Sequence, residues 1–436
     1  MHALTPQSPL FAPLTLPNNA VVSNRIAKAA MEENMADSNQ LPGERLRRLY
    51  ASWAEGGVGL ILSGNVMIDP TALTGPGGVV LDERQPIEPF RAWAQAATKG
   101  GGQAWLQINH PGRQVFAAMG QQAVAPSAIG VDLGAYSHLF PMPRALDEAG
   151  IAAIVGRFAT SARLAEASGF SGVQIHAAHG YLISQFLSPL TNRRADAWGG
   201  ELHNRARLLI DVVKAVRTVV SSGFSVAVKL NSADFQKGGF EASDAVQVVR
   251  WLNELPVDLV ELSGGSYESP AMQGAPQAIE GSPQAGSGST AAREAYFLDF
   301  ARDVSAVARM PVMVTGGIRR RAIAEAALRP SEGRPGVAMV GIASAFAFEP
   351  DLPERWKRDA ALDIAIPSVG WRNKAYASLA KMAIVKLQLR RLGKGQQPNP
   401  NASPLLALIR QQIITKRRTR VYRTWVSQPR IEPSGV

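Results

Sequence analysis

Short apolar runs alternate with longer stretches of helical periodicity along most of the chain. Runs such as VGLIL, VAVKL and PVMVT are apolar at nearly every position, which is typical of strands in a parallel sheet that helices cover on both faces. Eight strands are predicted on this basis: Ile26–Met31, Val58–Asn65, Gln103–Asn109, Gly172–His176, Ser225–Asn231, Val257–Leu262, Pro311–Thr315 and Gly336–Gly341.

Amphipathic stretches between these strands predict helices, each followed by Gly, Pro or a short polar turn. The clearest are Glu44–Glu55, Pro86–Lys99, Asp147–Ala167, Asn204–Val220, Ala242–Leu255 and Arg293–Ala308. A strand–helix unit repeated eight times predicts an α/β fold with a single TIM (β/α)8 barrel. The alternative is an open doubly wound sheet, which normally carries a GxGxxG turn after its first strand. The sequence contains no such turn.

Two connections between the predicted strands are long, Pro111–Leu146 after the third and Ser263–Ala292 after the sixth. Both leave the carboxyl ends of strands, where barrel active sites lie, so we expect them to form substrate walls or lids. A surface insertion is the alternative for the second, which contains GSPQAGSGST. We assign residues 1–370 to the barrel and residues 371–436 to a C-terminal extension.

Charge is distributed unevenly along the chain. The formal net charge is +11, yet residues 372–436 carry 14 Lys or Arg and one acid, so the rest is slightly acidic. Because the body is not basic, no nucleic-acid partner is expected for it. The extension predicts two helices, at residues 371–392 and 404–425, and we expect it to dock onto the barrel or onto a second copy in a homo-oligomer. The alternatives are an anionic membrane surface and a nucleic acid bound by the extension alone.

Some classes of protein are excluded by composition. The absence of cysteine rules out disulfides, thiolate metal sites, iron–sulfur clusters and cysteine nucleophiles. No apolar run approaches the roughly 20 residues of a membrane span. The first residues show no signal-peptide pattern, and we expect a cytoplasmic protein.

Polar residues at the predicted strand ends form a coherent set. In HAAHGY, His176, His179 and Tyr181 follow the fourth strand. Neutral imidazoles can donate to a substrate oxygen, and a phenol stays protonated at neutral pH and can deliver a proton. The alternative for the histidines is a zinc pair, which only His110 and carboxylates could complete. No metal site is predicted.

Lys229 and Gln107 occupy strand ends that should be buried. A buried ammonium needs an anionic partner, which is either a structural carboxylate or the negative charge of a reduced flavin. Gln107 offers the donor and the acceptor that match the pyrimidine edge of a flavin. Glycines follow the seventh and eighth strands, the usual phosphate site of this fold, where backbone N–H groups can approach phosphate oxygens. These are Gly316, Gly317 and Gly341.

The chain resembles the old yellow enzyme family of NADH:flavin oxidoreductases. The resemblance rests on stretches in family order over about 330 residues. They include LFAPLTLPNNAVVSNRIAKAAM, LQINHPGRQ, HAAHGYLISQFLSPLTNRR, VAVKLNSADF, VDLVELSGG and VTGGI. The HAAHGY run and its continuation form the most specific of these motifs.

The resemblance implies FMN as cofactor, NADH or NADPH as reductant, and a small electrophilic substrate. It implies that His176 and His179 bind the carbonyl oxygen of an activated alkene and that Tyr181 donates the proton. The implied cofactor contacts are Ala29, Ala30, Met31, Glu32, Gly64, Gln107, Lys229, Gly316, Gly317, Gly341 and Ile342.

Two residues depart from the family pattern. Glu32 stands where Thr or Cys is frequent, and Ile342 replaces a common arginine, so that phosphate would rely on backbone donors and on Arg319 or Arg320. Quinone or nitro-compound reduction is an alternative activity for the same site. A flavin-free lyase or isomerase that uses Lys229 is the alternative from another enzyme class.

Overall fold

The eight predicted strands all form and pair in parallel into a closed barrel in the computed structural model, which describes residues 8–269, 297–359 and 361–428. In chain order they are β1 (Ile26–Lys28), β2 (Leu60–Met67), β3 (Gln103–Asn109), β4 (Gly172–Ala177), β5 (Ser225–Asn231), β6 (Leu259–Ser263), β7 (Val312–Thr315) and β8 (Met339–Ile342). Each strand pairs with the next, and β8 pairs with β1. The predicted TIM barrel is confirmed.

The first strand is shorter than the sequence pattern indicates. Its ladder ends at Lys28, although the Ala29 N–H still donates to the Ile342 carbonyl over 2.9 Å. The chain then turns, and the Glu33 carboxylate accepts from the Gly64 N–H over 3.2 Å. The apolar run continues past the strand because Ala29 is buried and Ala30 and Met31 are partly buried.

Helices surround the barrel at the predicted places. They are α1 (Glu44–Glu55), α2 (Glu88–Thr98), α3 (Glu148–Ala167), α4 (Leu182–Leu187), α5 (Leu202–Val219), α6 (Ala242–Leu252), α7 (Leu298–Ser305), α8 (Arg321–Leu328), α9 (Leu352–Arg358), α10 (Lys374–Leu392) and α11 (Pro404–Val426). Residues 293–296 of the predicted sixth helix lie outside the described part of the chain. The sequence cue for α3 is Asp147, whose side chain accepts from the Gly150 N–H over 2.8 Å and caps the helix.

Two apolar layers hold the fold together. A small cluster fills the barrel interior, with Ala27, Leu60, Trp105 and Leu259 among its buried members. Leu14, from a short antiparallel hairpin near the N-terminus, closes the base of this cluster. The larger layer lies between the strands and the surrounding helices. Inward positions near the carboxyl ends of the strands are therefore left for polar groups.

The long connection after β3 is present as predicted. It contains two short strands, Val124–Ala125 and Arg144–Ala145, which pair with each other. The connection after β6 is described only as far as residue 269, so the predicted loop around GSPQAGSGST lies outside the described residues.

The C-terminal extension docks onto the barrel through α10 and α11. Lys386 donates to the Asn34 side chain, and Arg418 donates to the Ala36 carbonyl over 2.7 Å. The Tyr422 hydroxyl donates to the Pro70 carbonyl over 2.9 Å. Tyr422 is buried in a small apolar cluster with Met67, Leu73, Val80 and Met119. Two basic helices are thus confirmed, while the boundary at residue 370 and contact with a second copy stay predictions.

No helix in the described ranges has the length and the apolar character that crossing a membrane requires.

Candidate active site

Four polar side chains form a hydrogen-bonded row across the inside of the barrel. Gln107 Nε2 donates to Gln174 Oε1 over 2.7 Å, and Gln174 Nε2 donates to Glu261 Oε2 over 2.7 Å. Lys229 Nζ donates to Glu261 Oε1 over 2.8 Å. All four are buried. The anionic partner that Lys229 requires is therefore Glu261, as the structural-carboxylate interpretation predicts.

The row follows from the register of four neighbouring strands. Lys229 on β5 lies opposite both Glu261 on β6 and His176 on β4. Gln107 on β3 lies opposite Gln174. Because side chains alternate along a strand, these positions face inward with the interior apolar residues two places earlier. An ammonium has three donors, so Lys229 keeps two for a ligand at the barrel mouth.

His176, near the end of β4, and His179, in the turn that follows, have ring centroids 5.1 Å apart. His179 has a φ of 61° and Gly180 a φ of 73°, and this left-handed turn carries the second ring back over the strand end. The His179 N–H donates to Asn231 Oδ1 over 3.0 Å, and its Nε2 lies 2.8 Å from the Ser263 hydroxyl. The two predicted histidines are thus brought together.

Both imidazoles are neutral. Burial lowers the pKa of His176 well below its usual value, and the neighbouring His179 and Lys229 lower it further. Burial and Lys229 likewise lower the pKa of His179. His176 Nδ1 accepts from the Ala178 N–H over 3.2 Å, so its proton is on Nε2. His176 can therefore donate a hydrogen bond to an oxygen in the barrel mouth.

Tyr181 stands beside His176, with ring centroids 4.8 Å apart. Its hydroxyl lies 3.5 Å from Asn65 Nδ2 and 3.3 Å from the hydroxyl of Tyr267. Burial raises the pKa of Tyr181 well above its usual value, and Tyr267 and Glu32 raise it further. The phenol therefore holds its proton at neutral pH, as a proton donor must.

The segment after β1 forms another part of the mouth. Ala29 is buried, whereas Ala30, Met31 and Glu32 are half-buried. The Glu32 carboxylate accepts from the Thr74 hydroxyl.

Gly64 lies against this segment. A Cβ added at Gly64 would collide with the Glu33 carboxylate and the Met31 carbonyl. The close packing of Gly64 against Glu33 and Met31 is thus enough to require glycine, with or without a bound cofactor.

The glycine turns after β7 and β8 lie side by side, since Thr315 on β7 pairs with Gly341 on β8. Gly317 has a φ of 65°, which favours glycine, and a Cβ at Gly316 would collide with the Phe297 ring. The side chain of Ile342 is buried in the outer core, so only its backbone faces the turn.

Several buried polar atoms near the mouth have no hydrogen-bond partner among the residues that the structure describes. They are Thr315 Oγ1, Asn65 Oδ1 and both amide atoms of Asn109. An unpaired buried polar atom costs about 1–3 kcal/mol, so such atoms point to a polar ligand. Together with the Lys229 ammonium and the glycines at the ends of β7 and β8, this donor and acceptor set fits FMN, a polar ring carrying an anionic phosphate tail.

Sequence reasoning missed three residues of this site: Gln174, Glu261 and Tyr267. Gln174 and Glu261 occupy apolar strands in VQIHAAH and VDLVELS, where a polar side chain must have a buried partner. The sequence therefore already indicated both residues as polar breaks in apolar strands, Gln174 in β4 and Glu261 in β6. Tyr267 lies in an aperiodic loop that gives no comparable signal.

Metal-binding geometry is absent from the described ranges, where no three His, Asp or Glu side chains are placed to hold an ion.

Comparison with known proteins places the chain in a family. Residues 9–363 match the model of the NADH:flavin oxidoreductase / NADH oxidase family. The "NADH-dependent flavin oxidoreductase iliE" of Hypocrea jecorina is 38% identical over 360 residues, covering 78% of this chain and 87% of that protein. The Neonectria protein of the same name is 38% identical over 359 residues, again 78% of this chain, but the chain spans only 46% of its length.

Solved structures share the fold. Morphinone reductase superposes with a TM-score of 0.65 at 26% identity, covering 81% of this chain and 92% of that one. An old yellow enzyme homologue from Zymomonas mobilis gives 0.67 at 26% identity, covering 82% and 95%.

Fold and comparisons together define a flavin-dependent oxidoreductase. The chain belongs to the NADH:flavin oxidoreductase / NADH oxidase family. The predicted old yellow enzyme relationship and the dependence on FMN and a nicotinamide dinucleotide are confirmed at the level of the family.

Proposed function

We propose that this protein reduces an activated alkene conjugated to a carbonyl group, with Tyr181 as proton donor. The observation that carries the proposal is the convergence of two neutral imidazoles and one protonated phenol on a single volume. That volume lies beside the inner row that ends in Gln107 and Lys229. FMN, when bound, takes hydride from NADH or NADPH and supplies it to the substrate.

We assign the residues around FMN as follows. Gln107 and the two remaining Lys229 donors would hold the pyrimidine edge of the ring. The backbone of Ala29, Ala30 and Met31, with Gly64, would pack near the ring, with Glu32 beside it. The turns at Gly316, Gly317, Gly341 and the Ile342 backbone would hold the phosphate through N–H groups.

The chain's own residues then polarise and protonate the substrate. His176, through Nε2, and His179 donate to the carbonyl oxygen, which draws charge away from the alkene. Tyr181 gives its hydroxyl proton to the α carbon, next to the carbonyl, while hydride reaches the β carbon. Quinone or nitro-compound reduction would use the same imidazoles without a proton transfer to carbon.

Uptake of cofactor is the first test. We expect the purified protein to be yellow, or to become yellow when FMN is added. A correctly folded preparation that stays colourless and takes up no FMN would overturn the assignment.

The Tyr181→Phe variant tests the proton donor. In anaerobic stopped flow we expect alkene reduction to slow by roughly 100-fold, since a positioned acid contributes about that much or more. Reduction of the flavin by NADH should change little. Tyr136→Phe, an exposed tyrosine, is the matched control. Equal slowing of both half-reactions would remove Tyr181 from its role, and activity on quinones or nitro compounds alone would favour the alternative.

A further inference from the structure

Tyr267 lies directly beside the proposed proton donor. Its hydroxyl is 3.3 Å from that of Tyr181, and the ring centroids are 6.1 Å apart. It belongs to the start of the loop after β6, whereas Tyr181 follows β4. Two phenols from separate connections therefore share one hydrogen bond at the barrel mouth.

A proton donor must recover its proton after each turnover. Tyr181 is only 6% exposed, so water reaches its hydroxyl poorly. Among the described residues its hydroxyl has two partners, the Asn65 amide and the Tyr267 hydroxyl. An amide holds its protons at any ordinary pH, but a hydroxyl can give up one proton and accept another. Tyr267 is half-buried, so it is more exposed to solvent than Tyr181.

We propose that Tyr267 returns the proton to Tyr181 after each reduction. The Tyr181 oxygen, left as phenolate when its proton bonds to carbon, takes the Tyr267 hydroxyl proton. Tyr267 takes a proton from solvent in turn, so each turnover consumes one solvent proton, which balances the hydride delivered to the product. This inference rests on the proposed function, and Tyr267 acts through Tyr181 as a positioning and relay residue.

The loops around the site hold Tyr267 in place. Glu268, the next residue, pairs with Arg113 over 2.5 Å and accepts from the Asp132 N–H over 2.7 Å. Arg113 also donates to the Gly130 carbonyl over 2.5 Å. This clasp between Arg113 and Glu268 joins the connection after β3 to the one after β6. A side chain in a long loop becomes fixed when its neighbour is anchored in this way.

Gln114 provides a second anchor. Its Oε1 accepts from the Tyr267 N–H over 3.4 Å, and its Nε2 donates to the His179 carbonyl over 3.0 Å. The same side chain thus sets the distance between the backbone that carries Tyr267 and the turn that carries the histidines and Tyr181.

Burial, supported by the Glu32 charge, raises the pKa of both phenols and keeps them protonated between turnovers. Burial raises the pKa of Tyr267, and Glu32 raises it further. A phenolate on Tyr181 is therefore a strong base that takes a proton rapidly from a neighbour of the same type.

The Tyr267→Phe variant tests the relay in sequential-mixing stopped flow. The enzyme reduces one enone equivalent, is re-reduced by NADH and meets a second equivalent. We expect a first reduction within about twofold of the parent and a second one slowed about tenfold, with a larger solvent deuterium effect on the second. Glu268→Gln, which keeps the hydroxyl but breaks the clasp, should slow the second reduction to a smaller extent.

Two controls separate the relay from the proposed function. If the parent reduces no enone, the proposed function fails and the relay with it. If the parent does reduce the enone, two results overturn the relay. In the Tyr267→Phe variant, either the first and second reductions proceed at the same rate as in the parent, or both are slowed by the same factor. In a Tyr181→Phe background, Tyr267→Phe should add nothing. Flavin absorbance and unchanged NADH reduction report that the variants fold.

Discussion

Two buried lysine–glutamate pairs lie on opposite sides of the barrel wall. Inside, Lys229 and Glu261 are directly opposed on β5 and β6 with a 2.8 Å contact. Outside, Lys28 on β1 is 3.8 Å from Glu33. The outer lysine has other partners as well. Its Nζ donates to the Leu62 carbonyl over 2.7 Å and lies 4.3 Å from the centre of the Trp53 ring.

The difference shows how one pairing serves two purposes. The inner lysine keeps two donors for the ligand that we propose at the mouth. The outer pair supports the backbone instead: Glu33 accepts from the Tyr50 hydroxyl over 2.5 Å and from the Gly64 N–H over 3.2 Å. The outer pair thus has neutral partners as well: Lys28 contacts a carbonyl and an aromatic ring, and Glu33 accepts from two neutral donors. In the described row, the inner lysine has Glu261 as its only anionic partner.

Removing the inner lysine should have the largest effect. Lys229→Met leaves Glu261 as a buried, unpaired carboxylate, which costs about 3–5 kcal/mol of unfolding free energy. Loss of the donors at the flavin edge should also abolish FMN uptake. Urea unfolding and flavin titration measure the two effects.

The double variant Lys229→Met/Glu261→Met should regain stability without regaining FMN. Lys99→Met, from an exposed pair with Glu55, should leave the unfolding midpoint unchanged. Wild-type stability and FMN affinity in Lys229→Met would contradict the view that the inner pair is the ligand-facing one.

The outer lysine should produce a pH-dependent effect. Burial, with a smaller contribution from Lys229, lowers the pKa of Lys28 from 10.5 to about 8, against the raising effect of Glu33 and Glu261. Between these values the unfolded chain binds more protons, so this group adds stability as pH rises. The increment is about 3 kcal/mol over the interval.

Lys28→Met should therefore flatten the rise of unfolding free energy with pH relative to the parent, with most of the difference above about pH 8. Urea unfolding at a series of pH values checks this. Parallel pH profiles for parent and variant would mean that Lys28 is not strained by its burial.

A third, half-buried lysine gives the smallest expected effect. Burial lowers the pKa of Lys386 on α10, and the nearby Glu32 opposes this. Because Glu32 disfavours an anionic reduced flavin and Lys386 offsets it, Glu32→Thr should raise the midpoint potential of bound FMN and Lys386→Met should lower it. A change of about 30 mV, equal to 1.4 kcal/mol for two electrons, is expected for each. If both variants shifted the midpoint potential in the same direction, Glu32 and Lys386 would not have opposite effects on the flavin.

The barrel could be predicted because its strands are apolar on both faces, a local property of the chain. Lys229 and Gln107 could be singled out because they break that pattern at strand ends. Lys28 breaks it too, within RIAKAAM, but a pattern cannot tell an inward from an outward position on a strand covered on both sides.

The loop contacts could not be predicted. Tyr181 and Tyr267 are 86 residues apart, and Arg113 and Glu268 are 155 apart, so nothing local specifies their meeting. The Glu32 charge could be found by departure from the family pattern, but its neighbour Lys386 lies 354 residues further along the chain.

The docked extension has a consequence for how relatives can differ. The family match ends at residue 363, yet Lys386 and Tyr422 come from beyond it and contact the loops that follow β1 and β2. Deleting the extension should therefore disturb the flavin environment. A relative that differs only in this segment is therefore expected to differ in the environment of its cofactor while keeping the same barrel strands.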